Sequence, residues 1–168
     1  LSRIPYTAGP FPLGYIGLGE IFVLFFFGVV AVAGTYYVQS LEMNHAILLD
    51  GIGPGLLSAA ILSVNNLRDI EGDRKSGKRT LAVRFGKAFA HCEYLFCVIM
   101  ASLIPVIIYL LINDRSYILI ATCIPLIAIP VMRAVLTHED GPTLNKCLAA
   151  TGALLLIYSA LFSIGWIL

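Results

Sequence analysis

Five long apolar runs, separated by short polar segments, constrain this sequence more than any other feature. Each run is long enough to cross about 30 Å of hydrocarbon, which takes about 20 helical residues. In lipid the backbone must satisfy its own hydrogen bonds, and continuous rather than alternating apolar runs favour helices over barrel strands. The sequence therefore predicts an all-α, polytopic transmembrane helix bundle, with helices over residues 18–39, 46–66, 89–112, 117–136 and 144–168.

The composition supports a membrane protein. Of the 168 residues, 59% are hydrophobic and only 12% are charged, whereas charged residues make up about 25% of a soluble domain. The lipid bilayer is the expected environment, and no nucleic acid is expected as a partner.

The basic residues are distributed unevenly between the two predicted ends of the bundle. With five helices, ten of the eleven Lys and Arg residues fall on or beside one side, and only Arg115 falls on the other. Basic loops remain in the cytoplasm. We therefore predict that the charged segment 68–87 is cytoplasmic. The ten residues are Arg3, Arg68, Arg74, Lys75, Lys78, Arg79, Arg84, Lys87, Arg133 and Lys146.

A row of polar side chains follows the second apolar run. If that helix continues through Asp73, then Asn65, Asp69 and Asp73 are spaced i, i+4, i+8 and share one face, about 6 Å apart per step. Neighbouring carboxylates repel unless a cation lies between them, and oxygen ligands suit a hard ion such as Mg²⁺.

Basic residues come directly after these acids and are candidates for binding phosphate oxygens. They are Arg74, Lys75, Lys78, Arg79 and Arg84. Carboxylates for Mg²⁺ beside Lys and Arg for phosphate form a plausible diphosphate site. Spacing alone leaves a second interpretation open, in which the acids are a solvated helix end and the basic residues only determine topology.

The motif itself is more specific. The string NNLRDIEGDRKSGKRTLAVRFG, residues 65–86, closely resembles the second aspartate-rich motif of the UbiA-type intramembrane prenyltransferases. The segments YTAGPFPLGYIGLGE (residues 6–20) and GTYYVQ (residues 34–39) resemble the menaquinone-pathway subgroup of that superfamily. The resemblance covers essentially the whole chain.

The resemblance implies a fold of nine membrane helices around a central cavity, of which the five here are the last five. Residues 1–168 are then the C-terminal portion of a single membrane domain. The first aspartate-rich motif of the family has no counterpart here, and the sequence begins with Leu1 rather than Met. We therefore expect a longer protein, and we expect this piece alone to be inactive.

The resemblance also implies a reaction: a polyprenyl group passes from polyprenyl diphosphate to 1,4-dihydroxy-2-naphthoate, with loss of diphosphate and CO₂. Asp69 and Asp73 are then the catalytic metal ligands for Mg²⁺, supported by Asn65 and Asn66. The candidate diphosphate-binding residues are Arg68, Lys75, Lys78 and Arg79, and the candidate acceptor-pocket residues are Tyr6, Tyr15 and Glu20. The expected location is the bacterial cytoplasmic (inner) membrane.

Three alternatives remain at this point. In the first, the acceptor is a different aromatic compound, such as 4-hydroxybenzoate or homogentisate. In the second, the chain is part of a transporter, since transporters also use interrupted helices and acids facing a cavity; against this, Asp69 and Asp73 lie at a helix end rather than at mid-membrane. In the third, the chain is a non-catalytic membrane subunit.

Overall fold

The structure, a computed structural model, describes residues 17–168 as seven helices and their connections. Five are long and apolar enough to cross a membrane: α1 (Gly19–Ser40), α2 (Ala46–Arg68), α5 (Lys87–Ile112), α6 (Ser116–Thr137) and α7 (Gly141–Ile167). Two short helices, α3 (Ile70–Lys75) and α4 (Leu81–Phe85), lie between α2 and α5. No strand occurs in this part of the chain.

This architecture confirms the predicted all-α polytopic bundle of five long helices. The observed ends differ from the predicted ones by three residues or fewer. The charged segment, expected as a loop, contains α3 and α4. Each has only five or six residues, which is too short for an apolar periodicity to predict a helix.

Local sequence explains where several helices begin. The side chains of Asn44, Thr80 and Asp140 accept hydrogen bonds from backbone N–H groups three residues later, at 3.0, 3.3 and 2.8 Å. These caps satisfy N–H groups that have no partner within the helix. They fix the first turns of α2, α4 and α7.

Helix α2 lies at the centre of the bundle. In the 18-residue apolar stretch of α2, 67% of the residues are buried, compared with 11% in the corresponding stretch of α1 and 22% in that of α7. Leu57, Ala60 and Val64 are fully buried, and the Ser63 hydroxyl donates to the Ala90 carbonyl of α5 at 3.0 Å. The position of α2 therefore determines how the other long helices are arranged.

Glycines allow α1 and α2 to cross in backbone contact. A Cβ on Gly55 would lie 2.6 Å from the Leu24 carbonyl oxygen, and a Cβ on Gly51 would lie 2.7 Å from the Val29 Cα. A Cβ on Gly28 would lie 2.7 Å from the Gly55 Cα. Small residues permit this approach in membrane helices. The crossing coincides with a π-helical stretch of α1, Leu24–Val30.

Polar contacts mark two opposite ends of the bundle. Arg68 contacts Asn145 at 2.6 Å, and Lys87 contacts Glu139 at 2.6 Å. At the other end, the Arg115 guanidinium donates to the Trp166 carbonyl at 3.0 Å. The charged segment and the start of α7 therefore share one end, as expected for helices that alternate in direction.

The glycine crossing predicts different effects for two Gly→Ala substitutions in α1. Gly28→Ala should lower the free energy of unfolding by about 1–3 kcal/mol, the usual cost of overpacking. Gly34→Ala is the matched control, because nothing lies within 4 Å of its added Cβ and alanine favours helix. The measurement is thermal unfolding of the complete protein in detergent. Equal melting temperatures for the two variants would contradict the crossing.

Candidate functional site

The guanidinium of Arg68 is the centre of the polar cluster at the charged end of α2. Its Nε and Nη2 donate to the two carboxylate oxygens of Asp69 at 2.7 and 2.6 Å. Nη2 also donates to Asn65 Oδ1 at 2.8 Å, and Nη1 donates to Asn145 Oδ1 at 2.6 Å. The forked geometry of arginine holds three oxygen-bearing side chains in fixed orientations.

The charge of Asp69 is stabilised by these contacts. The hydrogen bonds from Arg68 lower the pKa of the Asp69 carboxyl below its ordinary value, and the nearby charges of Arg68 and Lys78 lower it further. Asp69 is ionised at neutral pH, and the lowered pKa extends its ionised range to more acidic pH. Its oxygens therefore carry the negative charge that a bound cation requires.

Asp73 forms a second pair of opposite charges. It is buried, with 6% of its surface exposed, and Lys78 donates to its Oδ1 at 2.7 Å. A tight turn returns the chain to Asp73: Gly77 has a φ of +77°, and the Lys78 N–H donates to the Asp73 carbonyl at 3.0 Å. Glycine adopts this left-handed conformation without strain.

The helix carrying these residues is interrupted, in contrast to the expectation that it would continue through Asp73. It ends at Arg68, and α3 begins at Ile70. The Asp69 N–H still donates to the Asn65 carbonyl at 3.0 Å, and the Asp73 N–H donates to the Asp69 carbonyl at 2.8 Å. The predicted i, i+4, i+8 relation is therefore retained across the interruption.

Two of the predicted diphosphate residues belong to this cluster and two lie outside it. Arg68 and Lys78 pair with Asp69 and Asp73. Lys75 and Arg79 are exposed on the same charged segment. The diphosphate-binding role of all four residues stays a prediction.

A buried contact joins the start of α1 to α2. Asn66 Nδ2 donates to Glu20 Oε1 at 2.7 Å, and both side chains are buried. The Asn66 side chain is thereby held by α1, and its role as a support for the metal ligands stays a prediction. Tyr6 and Tyr15, the other candidates for the acceptor pocket, lie outside the described residues.

Two residues near the site were not identified from the sequence. Asn145 contacts Arg68 from α7, and Glu93 of α5 lines an apolar groove of about 400 Å³ together with Glu20. Glu93 could have been identified from the sequence, since an acidic residue inside a membrane helix is rare. Asn145 could not, because a single amide residue beside a loop belongs to no recognisable sequence motif.

The oxygen donors fit a hard divalent cation but do not complete its coordination. Asn65, Asp69 and Asp73 offer amide and carboxylate oxygens, the ligands that such ions prefer. Within residues 17–168, no three His, Cys, Asp or Glu side chains converge on one point. Other ligands, such as water and phosphate oxygens, would have to supply the remaining positions.

Comparisons with known proteins agree with this chemistry. The model of the UbiA prenyltransferase family matches residues 1–159. A 1,4-dihydroxy-2-naphthoate octaprenyltransferase of Haemophilus influenzae is 38% identical over 98% of this chain and 54% of its own length. The Escherichia coli protein of the same description is 44% identical over 69% of this chain and 37% of its own length.

A more distant relative covers the whole chain. The UbiA prenyltransferase domain-containing protein 1 of Dictyostelium discoideum is 31% identical over 100% of this chain and 49% of its own length. The chain thus spans about half the length of the curated relatives it matches over most of its residues. The family match, the identities and the five membrane-length helices lead to one conclusion: this chain is an integral membrane protein that belongs to the UbiA prenyltransferase family.

Proposed function

We propose that the complete protein transfers a polyprenyl group from polyprenyl diphosphate to 1,4-dihydroxy-2-naphthoate, as a step of menaquinone biosynthesis. The observation that carries the proposal is the cluster at the end of α2, where oxygen donors alternate with cations. Asp69 pairs with Arg68 and Asp73 pairs with Lys78, at 2.6 and 2.7 Å. The acceptor follows from relatives described as 1,4-dihydroxy-2-naphthoate octaprenyltransferases.

The proposed role of the acids is to hold a divalent metal, specifically Mg²⁺. Asn65, Asp69 and Asp73 would bind it, with Asn66 as a support. When bound, the metal would supply positive charge that stabilises the diphosphate leaving group.

The proposed role of the cations is to bind phosphate oxygens. Arg68 and Lys78 now neutralise carboxylates, so a cation that took over this neutralisation would leave both side chains available to the diphosphate. Lys75 and Arg79 are exposed on the same charged segment and are proposed to bind the same diphosphate.

The bond changes follow from the substrates. The allylic C–O bond of the donor breaks and diphosphate leaves with the electron pair. The acceptor ring carbon that bears the carboxylate forms the new C–C bond. Loss of CO₂ returns the electrons of the old C–C bond to the ring and restores its aromaticity. Glu20, buried and fixed by Asn66 at 2.7 Å, is proposed to frame the acceptor together with Tyr6 and Tyr15.

The proposed location is the bacterial cytoplasmic membrane, with the charged segment on the cytoplasmic side. This orientation rests on the positive-inside rule and on the grouping of Arg68, Lys87 and the start of α7 at one end. We also propose that residues 1–168 are the C-terminal portion of a single membrane domain. A transporter is disfavoured because Asp69 and Asp73 follow the end of α2 rather than lying at its middle.

The carboxylates predict a specific loss of activity. Asp69→Asn and Asp73→Asn in the complete protein should each lower product formation at least about a hundredfold, since each removes charge from the metal site. The measurement is product formation in membranes from polyprenyl diphosphate and 1,4-dihydroxy-2-naphthoate, with Mg²⁺ or EDTA. Asp114→Asn is the control, because Asp114 is exposed at the other end of the bundle.

The outcomes separate the alternatives. Product with 4-hydroxybenzoate or homogentisate alone would retain the family chemistry and replace the acceptor. Full activity of both Asp variants, or activity in EDTA, would contradict the proposed metal site. Absence of product with every aromatic acceptor, from a folded protein, would favour a transporter or a non-catalytic subunit.

The Arg68 fork generates a second prediction. Arg68→Lys retains the positive charge but cannot bind Asp69, Asn65 and Asn145 together, so it should lower kcat/KM for the diphosphate about tenfold or more. Asn145→Ala should have a smaller effect in the same direction, because it removes one of the four hydrogen bonds. Steady-state kinetics with varied polyprenyl diphosphate measure the effect of both substitutions. Wild-type kinetics in Arg68→Lys would contradict a role for the forked hydrogen bonds of the Arg68 guanidinium.

A further inference from the structure

A cavity of about 340 Å³ lies between α1, α2 and α7, near the end of the bundle opposite the charged segment. Its wall is mainly apolar and aromatic, with Tyr36, Phe162 and Trp166 among the lining residues. Ligand pockets have this character and volumes of about 300–1,000 Å³. The proposed reaction uses none of these residues.

Two buried polar groups in this cavity lack hydrogen-bond partners. Asp50 and Tyr158 are 8% and 1% exposed and both line the cavity. Within the described part of the chain, neither Asp50 Oδ1 nor the Tyr158 hydroxyl has a partner. Leaving such a group unpaired costs about 1–3 kcal/mol. A carboxyl oxygen that can accept and a hydroxyl that can donate therefore lie unpaired in the wall of this cavity.

The local sequence places the Tyr158 ring against α2. A Cβ on Gly53 would lie 2.6 Å from Tyr158 Cζ, so only glycine at this position accommodates the tyrosine ring. The rings of Tyr158, Phe162 and Trp166 stack along α7, with centroids 6.1 and 6.0 Å apart and interplanar angles of 19° and 21°. This aromatic column offers ring faces and edges to a flat ligand.

We propose that this cavity is a second ligand site, which binds the hydroxylated ring of a prenylated aromatic diol, the class of product that the proposed function forms. The inference rests on that function for the identity of the ligand. One ring hydroxyl donates to Asp50, and a ring oxygen accepts from Tyr158. The prenyl tail lies along the apolar surface of the bundle.

The charges favour the product over the acceptor. The acceptor carries a carboxylate, and no basic residue is among the described residues that line the cavity. A carboxylate buried in an apolar space without a cation is strongly destabilised. The product has lost that carboxylate as CO₂ and retains the ring hydroxyls. The site thus distinguishes product from acceptor by one charge.

The fluorescence of Trp166 can report directly on ligand binding in the cavity. It lines the cavity and is the one tryptophan of this sequence, and a Trp166→Phe variant of the complete protein isolates its signal. The probe is 1,4-dihydroxynaphthalene, kept reduced and titrated against the complete protein in lipid nanodiscs. We expect saturable quenching of Trp166 fluorescence.

Two comparison ligands test the contacts without altering the protein. 1,4-Dimethoxynaphthalene has the same ring but no O–H donor, and 1,4-dihydroxy-2-naphthoate adds the carboxylate. Each should bind about tenfold more weakly, the effect of one lost hydrogen bond or one unpaired buried charge. Equal affinity for all three ligands, or quenching that rises without saturation, would overturn the site.

Substitutions then test whether Asp50 and Tyr158 bind the diol. Tyr158→Phe and Asp50→Asn should each weaken binding of the diol about tenfold. Tyr94→Phe is the matched control, because its hydroxyl is buried elsewhere and bonds Thr151 at 3.1 Å. Unchanged affinity in both cavity variants would overturn the assignment.

Prenyl transfer is assayed in the same preparation, which separates the two proposals. Turnover without binding at Trp166 overturns the second site and leaves the proposed function standing. Saturable binding without turnover supports the site and contradicts the function.

Discussion

The central helix α2 carries the two asparagines and the arginine of the candidate site, and neighbouring helices contact them. Glycine contacts hold it against α1, the Ser63 hydroxyl ties it to α5, and Arg68 at its end reaches α7. In a membrane, apolar side chains give no preference for another helix over lipid, so close packing and polar contacts must supply specificity. A change in the position of α2 would therefore displace the acids, the cations and the cavity around Asp50 together.

Charge balance explains why the acids can lie so close to the membrane. Two unpaired carboxylates at a helix end would repel each other, but Asp69 and Asp73 each have a basic partner from the same segment. The pairs fix the orientations of the carboxylate oxygens, and in each pair at least one partner remains in contact with water. The turn at Gly77 is needed for this arrangement, because it returns Lys78 to Asp73.

The sequence predicted what depends on local pattern. Apolar length determines the five helices, and the motif at residues 65–86 identifies the family. It did not predict the contact of Arg68 with Asn145, 77 residues away, because a contact between distant segments depends on how the helices pack. Nor did it predict the shared cavity of Asp50 and Tyr158, since neither belongs to a motif and they meet only when α7 packs on α2.

The two polar regions lie on one face of α2. Asp50, Pro54, Ile61 and Asn65 follow one another at steps of four, seven and four residues, which places them within less than a quarter turn on a helix. Apart from Asp50 they are only partly buried, whereas Leu56, Ala59, Ala60 and Ser63 on the other face are buried. Fifteen residues at 1.5 Å each separate Asp50 from Asn65, about 22 Å. A ligand with one polar head and a long apolar tail can place its head at either end of this face and its tail along the apolar part between them. The two proposed sites therefore share one helix face.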